Sequence, residues 1–130
     1  MFKSFTNAIF VKLLIKLNLQ KMANSNNKFV CQWTLEIVYG KQKQALDIIK
    51  KWGEEKFRSS HFKVSVNRVM NGYIGASPSL IIDEYIFNSM DDFEKALADM
   101  GNPQFREYSD SLAPYIVPGS QKWTVYKIIV

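Results

Sequence analysis

The sequence predicts an α+β domain built on a single antiparallel sheet. Four segments rich in aromatic and β-branched residues alternate apolar and polar positions, as half-buried strands do. Helical spacing of apolar residues follows the first strand and again the third. The resulting order, β-α-β-β-α-β, is the split βαβ plan of ferredoxin-like domains. With 130 residues, 47% of them hydrophobic, the chain is large enough to bury such a core.

The first strand and the first helix are predicted over residues 29–39 and 41–57, with Gly40 between them. The strand has one dry face, formed by Cys31, Trp33, Leu35 and Ile37. The helix has one apolar stripe, formed by Ala45, Ile49 and Trp52. Charged residues cover the rest of the helix, so we expect both elements to bury one face in a shared core.

The second and third strands are predicted over residues 62–70 and 80–87, joined by a loop over residues 73–79. The residues in phase along the second strand are Phe62, Val64, Val66 and Met70. Asn71-Gly72 follows it, a dipeptide typical of a turn or a bulge. These two strands are therefore expected to pair as neighbours.

The last part of the chain is predicted to contain two more helical segments and a strand. Ser89 is a good N-cap for a helix over residues 90–100, and Pro103 suits the first position of a short helix over residues 103–113. The last strand covers residues 121–130. Helices cover only one face of such a four-stranded sheet, and the other face still carries apolar side chains. We therefore expect a homodimer that packs sheet against sheet with twofold symmetry.

The leader, residues 1–28, differs from the rest in charge. It holds five lysines and no acidic residue, and the remaining 12 basic residues match the 12 acidic ones. The folded part has no basic surplus, so we expect no nucleic-acid binding. Residues 8–19 are apolar apart from Lys12, Lys16 and Asn18, a stretch too short and too charged to be a transmembrane segment.

Three interpretations of the leader stay open. In the first, the start is mis-assigned and the protein begins at Met22. In the second, residues 1–21 are an organelle presequence. In the third, the segment is a weak membrane-surface helix. The expected organisation is a leader over residues 1–28 and a ferredoxin-like domain over residues 29–130. We expect a cytoplasmic protein, with organelle targeting through residues 1–21 as the alternative.

The sequence predicts no metal and no cofactor. One cysteine and one histidine exclude an internal disulfide framework and the usual Cys/His zinc clusters. The chain also has no nucleophile elbow, phosphate-binding glycine loop or dinucleotide fingerprint. No reaction follows from motifs of these kinds.

Four short motifs within residues 29–130 carry a family resemblance. They are Trp33-Thr34-Leu35 followed by Gly40, residues 84–89, residues 103–107, and Trp123 in the last strand. They resemble the dimeric α/β barrel superfamily, above all its NIPSNAP-like and uncharacterised branches. The resemblance implies a homodimer, and its members include cofactor-free monooxygenases of polyketide quinones, haem-dependent enzymes, lactone isomerases and stress-response proteins. Asp83 departs from the pattern, because related chains usually place an apolar residue there.

Glu36 and Glu84 are the candidate catalytic carboxylates, since each lies within a strand, where glutamate is disfavoured. By alternation and by the family's pattern, both point away from the helices, into the space enclosed by the dimer. A partly dehydrated carboxylate there would have a raised pKa and could accept a proton. The alternative is that both lie on a wet rim or pair with Arg68 or a lysine.

Arg68, Thr34 and Tyr73 are the candidate ligand-binding residues. Arg68 is the only arginine in a predicted strand and could hold a ligand oxygen, or else form an ion pair with a strand carboxylate. Thr34 belongs to the resemblance motif of the first strand. Tyr73 lies in the loop before the third strand, where it could form the rim of a pocket.

The remaining candidates have simpler interpretations. His61 is a possible general base, but a surface-loop histidine is the more economical reading; it precedes a strand, whereas the resemblance places a haem ligand on a helix. Cys31 fits a small core residue. The tryptophans fit core positions, although they could frame a flat ligand; these are Trp33, Trp52 and Trp123.

Two functions are compatible with these features. The first is a cofactor-free monooxygenase or isomerase acting on a small, partly apolar molecule in the cleft between sheet and helices, with Glu36, Glu84 or His61 handling the proton and Arg68 a developing oxyanion. The second is a non-catalytic dimeric module that binds a small hydrophobic ligand or a protein partner, or acts in a stress response.

Overall fold

The computed structural model describes residues 8–17, 27–64 and 66–130. Residues 8–17 form helix α1. The remaining elements follow in the predicted order: β1 (Phe29–Glu36), α2 (Gln42–Ser59), β2 (Asn67–Asn71), β3 (Leu80–Phe87), α3 (Met90–Asp99), α4 (Pro103–Leu112), a 3₁₀ turn (Ala113–Tyr115) and β4 (Lys122–Lys127).

The sheet has the strand order β2-β3-β1-β4, and every neighbouring pair is antiparallel. This is the predicted ferredoxin-like topology. Because side chains alternate between faces, the register fixes two rows that matter below. Trp33 lies opposite Asp83 and Trp123 on the face toward the helices, and Gln32 lies opposite Glu84 and Thr124 on the open face.

The core lies between the sheet and the helices. The predicted dry face of β1 is confirmed, since Cys31, Trp33, Leu35 and Ile37 are all buried. The α2 stripe is buried against them, and Phe105 and Leu112 of α4 complete this half of the core. A second cluster forms where α3 packs on the sheet; it contains Cys31, Phe62, Tyr85, Phe87, Phe93 and Ala96.

The second strand is shorter than the sequence predicts. Residues 62–70 were expected to alternate in one strand, but β2 begins only at Asn67. Phe62 lies instead in the helix-side core, with ring centroids 4.7 Å from Tyr85 and 5.7 Å from Phe87. Met70 faces the other way, on the open side opposite Ile82. Burial of the Phe62 ring therefore outweighs the alternation that a longer strand would need.

Two local signals account for the ends of the elements. The Ser89 hydroxyl accepts a hydrogen bond from the Asp92 backbone N–H at 3.1 Å and caps α3 as predicted. After β2 the backbone turns tightly at Gly72, where a Cβ atom would lie 1.9 Å from the Ser77 carbonyl oxygen. Only glycine fits there, and the turn leads into the loop that carries Tyr73.

The open face of the sheet is covered by no helix of the described part of the chain. Its half-buried apolar side chains are Val30, Met70, Leu80, Ile82 and Ile86. Helix α1 does not cover them, because every one of its residues is exposed. Among the described helices, none is both long and apolar enough to cross a bilayer. The leader's remaining positions, residues 1–7 and 18–26, with Met22, lie outside the described residues.

Candidate functional site

A buried polar cluster lies in the otherwise apolar layer between α2 and the sheet. Lys56, at the end of the α2 stripe, is 3% exposed, and Asp83, on the helix-facing side of β3, is 2% exposed. The Lys56 Nζ lies 3.5 Å from Asp83 Oδ2 and donates to the Tyr85 hydroxyl at 3.1 Å. The Tyr85 hydroxyl in turn donates to Asp83 Oδ2 at 2.7 Å. Two hydrogen bonds and one ion pair thus join the three groups, and the charges of Lys56 and Asp83 balance.

Aromatic rings surround the Lys56 ammonium. The Nζ lies 4.4 Å from the ring centroid of Trp52, and between 5.1 and 5.3 Å from those of Trp33, Phe62 and Tyr85. These distances are in the range of cation–π attraction, which is strengthened where water is excluded. The rings and the Asp83 carboxylate together offset the cost of removing this charge from water.

Burial shifts the titration of two members of this cluster. It lowers the pKa of Lys56, and the nearby charge of Asp83 offsets only part of that shift. Burial also raises the pKa of Tyr85 far above its usual value, and the Asp83 charge adds to the effect. The Tyr85 phenol therefore stays protonated and remains a hydrogen-bond donor to Asp83.

Asp83 also forms the polar floor of a groove between α2 and the β2–β3 edge of the sheet. The groove has a volume of about 680 Å³. Asn67 of β2 lies beside Asp83 and donates from Nδ2 to Asp83 Oδ1 at 3.0 Å. The apolar part of the lining is Leu46, Ile49, Gly53, Phe57 and Val69, and the charged side chains of Lys50, Glu54 and Arg58 also line the groove. An apolar cleft with a few convergent polar groups is the usual form of a small-molecule site.

Glu84 lies on the open face, as predicted, and forms an ion pair rather than standing free. Its carboxylate accepts from Gln32 Nε2 at 2.8 Å and from Arg68 Nε. Burial raises its pKa, but the hydrogen bonds from Gln32 and Arg68, with the Arg68 charge, outweigh this and hold the pKa below its usual value. The prediction of a raised pKa, which a proton acceptor would need, is therefore wrong for Glu84.

The other residues predicted for the open-face site do not converge on Glu84. Glu36 is exposed at the end of β1 and pairs in register with Leu80, four residues from Glu84, or about 13 Å along the strands. Thr34 is buried and its hydroxyl donates to the Lys122 carbonyl at 3.4 Å. Tyr73 is 88% exposed in the loop after β2. Their catalytic and ligand-binding roles stay predictions.

His61 lies in the turn after α2, on the surface. Its ring Nδ1 is 2.7 Å from Asp99 Oδ2, and its backbone N–H donates to the same oxygen at 2.8 Å. These contacts lower the pKa of Asp99, the backbone hydrogen bond most of all. This geometry is that of a surface histidine holding the end of α3 in place.

The remaining candidates lie in the core. Cys31 is fully buried, and burial raises the pKa of its thiol to about 11, so it is no nucleophile. Trp33 packs edge-on against Trp52 and stacks on Trp123, with centroids 5.4 and 6.5 Å apart. Within the described residues, no three histidine, cysteine, aspartate or glutamate side chains form a cluster that could hold a metal ion.

The sequence-based search missed the Lys56–Asp83 pair, although the pattern contains both signals. Lys56 continues the Ala45–Ile49–Trp52 stripe by one further turn, a position that an amphipathic helix normally gives to an apolar residue. Asp83 has the helix-facing parity of Ile81 and Tyr85. Opposite charges on two facing apolar surfaces predict a buried pair. The aspartate at position 83, where related chains have an apolar residue, did not by itself indicate that pair.

Comparison with known proteins identifies related folds. No family profile and no curated protein sequence matches the chain. Among solved structures, a NIPSNAP family protein with unknown function from Agrobacterium tumefaciens superposes with a TM-score of 0.64 at 20% identity, covering 78% of this chain and 88% of its own. A second NIPSNAP family protein from that organism gives 0.62 at 17% identity, covering 76% and 90%.

Oxygenase structures superpose about equally well. SnoaB, a cofactor-independent oxygenase from Streptomyces nogalater, gives a TM-score of 0.59 at 10% identity, covering 78% of this chain and 92% of its own. At these identities the likeness concerns the fold. The chain thus has the ferredoxin-like fold of the dimeric α/β barrels, and it is structurally similar to both NIPSNAP proteins and cofactor-independent oxygenases.

Proposed function

We propose that this protein binds a flat, partly apolar molecule in the groove between α2 and the sheet, with a hydroxyl group of that molecule donating to Asp83. The observation that carries the proposal is a buried carboxylate at the floor of a groove whose lining surface is mostly apolar. A volume of about 680 Å³ lies within the range of small-ligand sites. Phe57 and Val69, each about half exposed at the groove, gain burial when it is filled.

The hydrogen-bond inventory of Asp83 favours a donor on the ligand. Oδ2 already accepts from Tyr85 and faces Lys56, whereas Oδ1 accepts only from Asn67. A carboxylate oxygen has two lone pairs, so Oδ1 can take one further donor. Lys56 already balances the charge, which favours a neutral hydroxyl such as a phenol over a cation.

Gly53 allows a sharp test of this site. It lies on the groove side of α2, and a Cβ atom added there meets nothing within 4 Å. Gly53→Leu is expected to fill the groove while the helix is kept, and Gly53→Ala is the matched control that leaves the groove open. Calorimetric titration with 2-naphthol should show binding to the native protein and the alanine variant, and at least tenfold weaker binding to the leucine variant. Equal binding to all three would contradict the proposal.

Cofactor-free oxygenation is the second candidate, favoured by the likeness to SnoaB. A hydroxyl donating to Asp83 is placed to lose its proton to that carboxylate, and the electron-rich anion that results is the species that reacts with oxygen. Anthrone is a suitable probe because its enol tautomer carries such a hydroxyl; O₂ takes four electrons from it, which converts the ring CH₂ group to a carbonyl and releases one molecule of water. Oxygen uptake with anthrone should be faster with the native protein than with Gly53→Leu. Binding without uptake would instead favour the non-catalytic ligand-binding module.

The homodimer is proposed through the open face of the sheet. The apolar side chains of that face surround a polar row in which Arg68, Glu84 and Gln32 satisfy one another. Because these groups are already hydrogen-bonded, a second sheet can cover them without leaving a buried charge unpaired. The groove lies on the opposite side of the sheet, so dimerisation leaves it accessible.

A further inference from the structure

We propose that a second pocket, beside Lys56, binds a single-ring aromatic molecule through a neutral carbonyl oxygen. The pocket has a volume of about 150 Å³ and shares no lining residue with the groove. Cavities of this size with apolar walls accommodate a benzene-sized molecule. Its aromatic walls are Trp33, Trp52, Phe62 and Trp123.

The observation that indicates a ligand is the unpaired indole N–H of Trp52, one of the residues that line the pocket. Trp52 is 7% exposed, and its Nε1 is the one buried side-chain nitrogen or oxygen in the described part of the chain with no hydrogen-bond partner. The Trp52 ring stacks on Tyr108, with ring centroids 6.2 Å apart and an angle of 8° between the ring planes. Its edge contact with Trp33 also holds it in place. A buried donor without an acceptor is costly, and a ligand oxygen in the pocket would satisfy it.

The charges around the pocket select a neutral acceptor. Lys56 lines the pocket, but its ammonium is already paired with Asp83 at 3.5 Å and enclosed by aromatic rings. A carboxylate entering the pocket would place a second negative charge beside one buried ammonium and would lose its own hydration. A ketone or amide oxygen accepts the Trp52 hydrogen bond without that cost.

Three probes of similar size test the proposal on the full-length protein: acetophenone, ethylbenzene and benzoate. Binding is followed through the indole N–H signals of the three tryptophans in ¹H–¹⁵N spectra. Acetophenone should shift the Trp52 signal downfield and bind about 2- to 10-fold more tightly than ethylbenzene, the gain expected from one net hydrogen bond. Benzoate should bind more weakly than acetophenone. Equal affinity for ketone and hydrocarbon, tighter binding of benzoate, or no binding at all would each overturn the proposal.

Two variants separate the hydrogen bond from the shape of the pocket. Trp52→Phe removes the donor and should reduce the preference for acetophenone over ethylbenzene to about one. Trp123→Phe is the matched control, since it alters another wall of the pocket and leaves in place the Tyr108 and Trp33 contacts that hold the Trp52 ring, so the preference should persist. If both variants lose the preference equally, the hydrogen bond is not its source. Gly53→Leu should leave acetophenone binding unchanged, so that failure here and failure of the groove proposal are distinguishable.

Discussion

The Lys56–Asp83 pair shows how burial changes the consequence of losing one charge. Both side chains are almost fully buried, and each satisfies the other through the 3.5 Å contact and the Tyr85 hydroxyl. Removing one partner of such a pair leaves a dehydrated charge, whereas removing both leaves apolar surroundings that suit apolar side chains. The stability of single and double variants should therefore be strongly non-additive.

For this pair we predict that Lys56→Met and Asp83→Leu each lower the free energy of unfolding by about 3–5 kcal/mol. The double variant should lose much less than the two losses added, because neither charge is left uncompensated. Urea unfolding of the four proteins measures the coupling. Additive losses would show that the two charges do not stabilise each other.

Glu84→Gln should lower the free energy of unfolding by less than the Lys56 and Asp83 variants do. Its partner Arg68 has a side chain that is 64% exposed and can return to water. We expect a loss of about 1.5–3 kcal/mol at neutral pH, the scale of a hydrogen bond to a charged group. The pKa of Glu84 is lower in the folded chain than its ordinary 4.5, so its contribution to stability is present above about pH 4.5 and lost as the pH falls through the lowered value.

The acid dependence provides the readout for Glu84. Below pH 4.5, the midpoint temperature of thermal unfolding should decrease less steeply with falling pH in Glu84→Gln than in the native protein. Glu36→Gln is the control, since Glu36 is exposed on the same face of the sheet. An unchanged acid slope in Glu84→Gln would mean that the Arg68 contact does not contribute in solution.

At the scale of elements, prediction succeeded where pattern and packing agree. The bounds of β3 and the faces of β1 and α2 follow from alternation and helical spacing. The predicted second strand is too long, because alternation cannot show that the Phe62 ring turns into the helix-side core. The Lys56–Asp83 pair was not predicted for a related reason, because the two residues become partners only when α2 lies across the sheet.

Helix α2 carries a residue that weakens it. Gly53 lies within the helix, and a Cβ atom there has open space around it. Gly53→Ala should therefore raise the free energy of unfolding by about 0.5–1 kcal/mol, through the lower backbone entropy of the unfolded chain and the higher helix propensity. Urea unfolding measures the gain. A loss of stability would indicate that the open space at Gly53 is needed for packing.

At the scale of the whole molecule, the described residues cover the sheet on one side only. The helices bury its inner face, and the outer face keeps five half-buried apolar side chains around the Glu84 row. This asymmetry is what the proposed dimer resolves.

Light scattering should report about twice the 15.1 kDa mass of the chain at micromolar concentration. Ile82→Asp, at the centre of the open face opposite Thr34, should shift the protein to monomer, because a charge would be buried in the interface. Tyr39→Asp is the control, as Tyr39 lies fully exposed in the turn before α2. A native protein that stays monomeric would rule out this dimer.

The buried thiol of Cys31 makes it possible to measure, by alkylation, how often the core opens. With a pKa of about 11, only about one thiol in a thousand is ionised at pH 8, and none of its surface is exposed. Since the chain has no other cysteine, alkylation occurs only in molecules whose core has opened. The rate of labelling by iodoacetamide therefore reports the frequency of opening, and compounds that occupy the folded state should slow it in proportion to their binding.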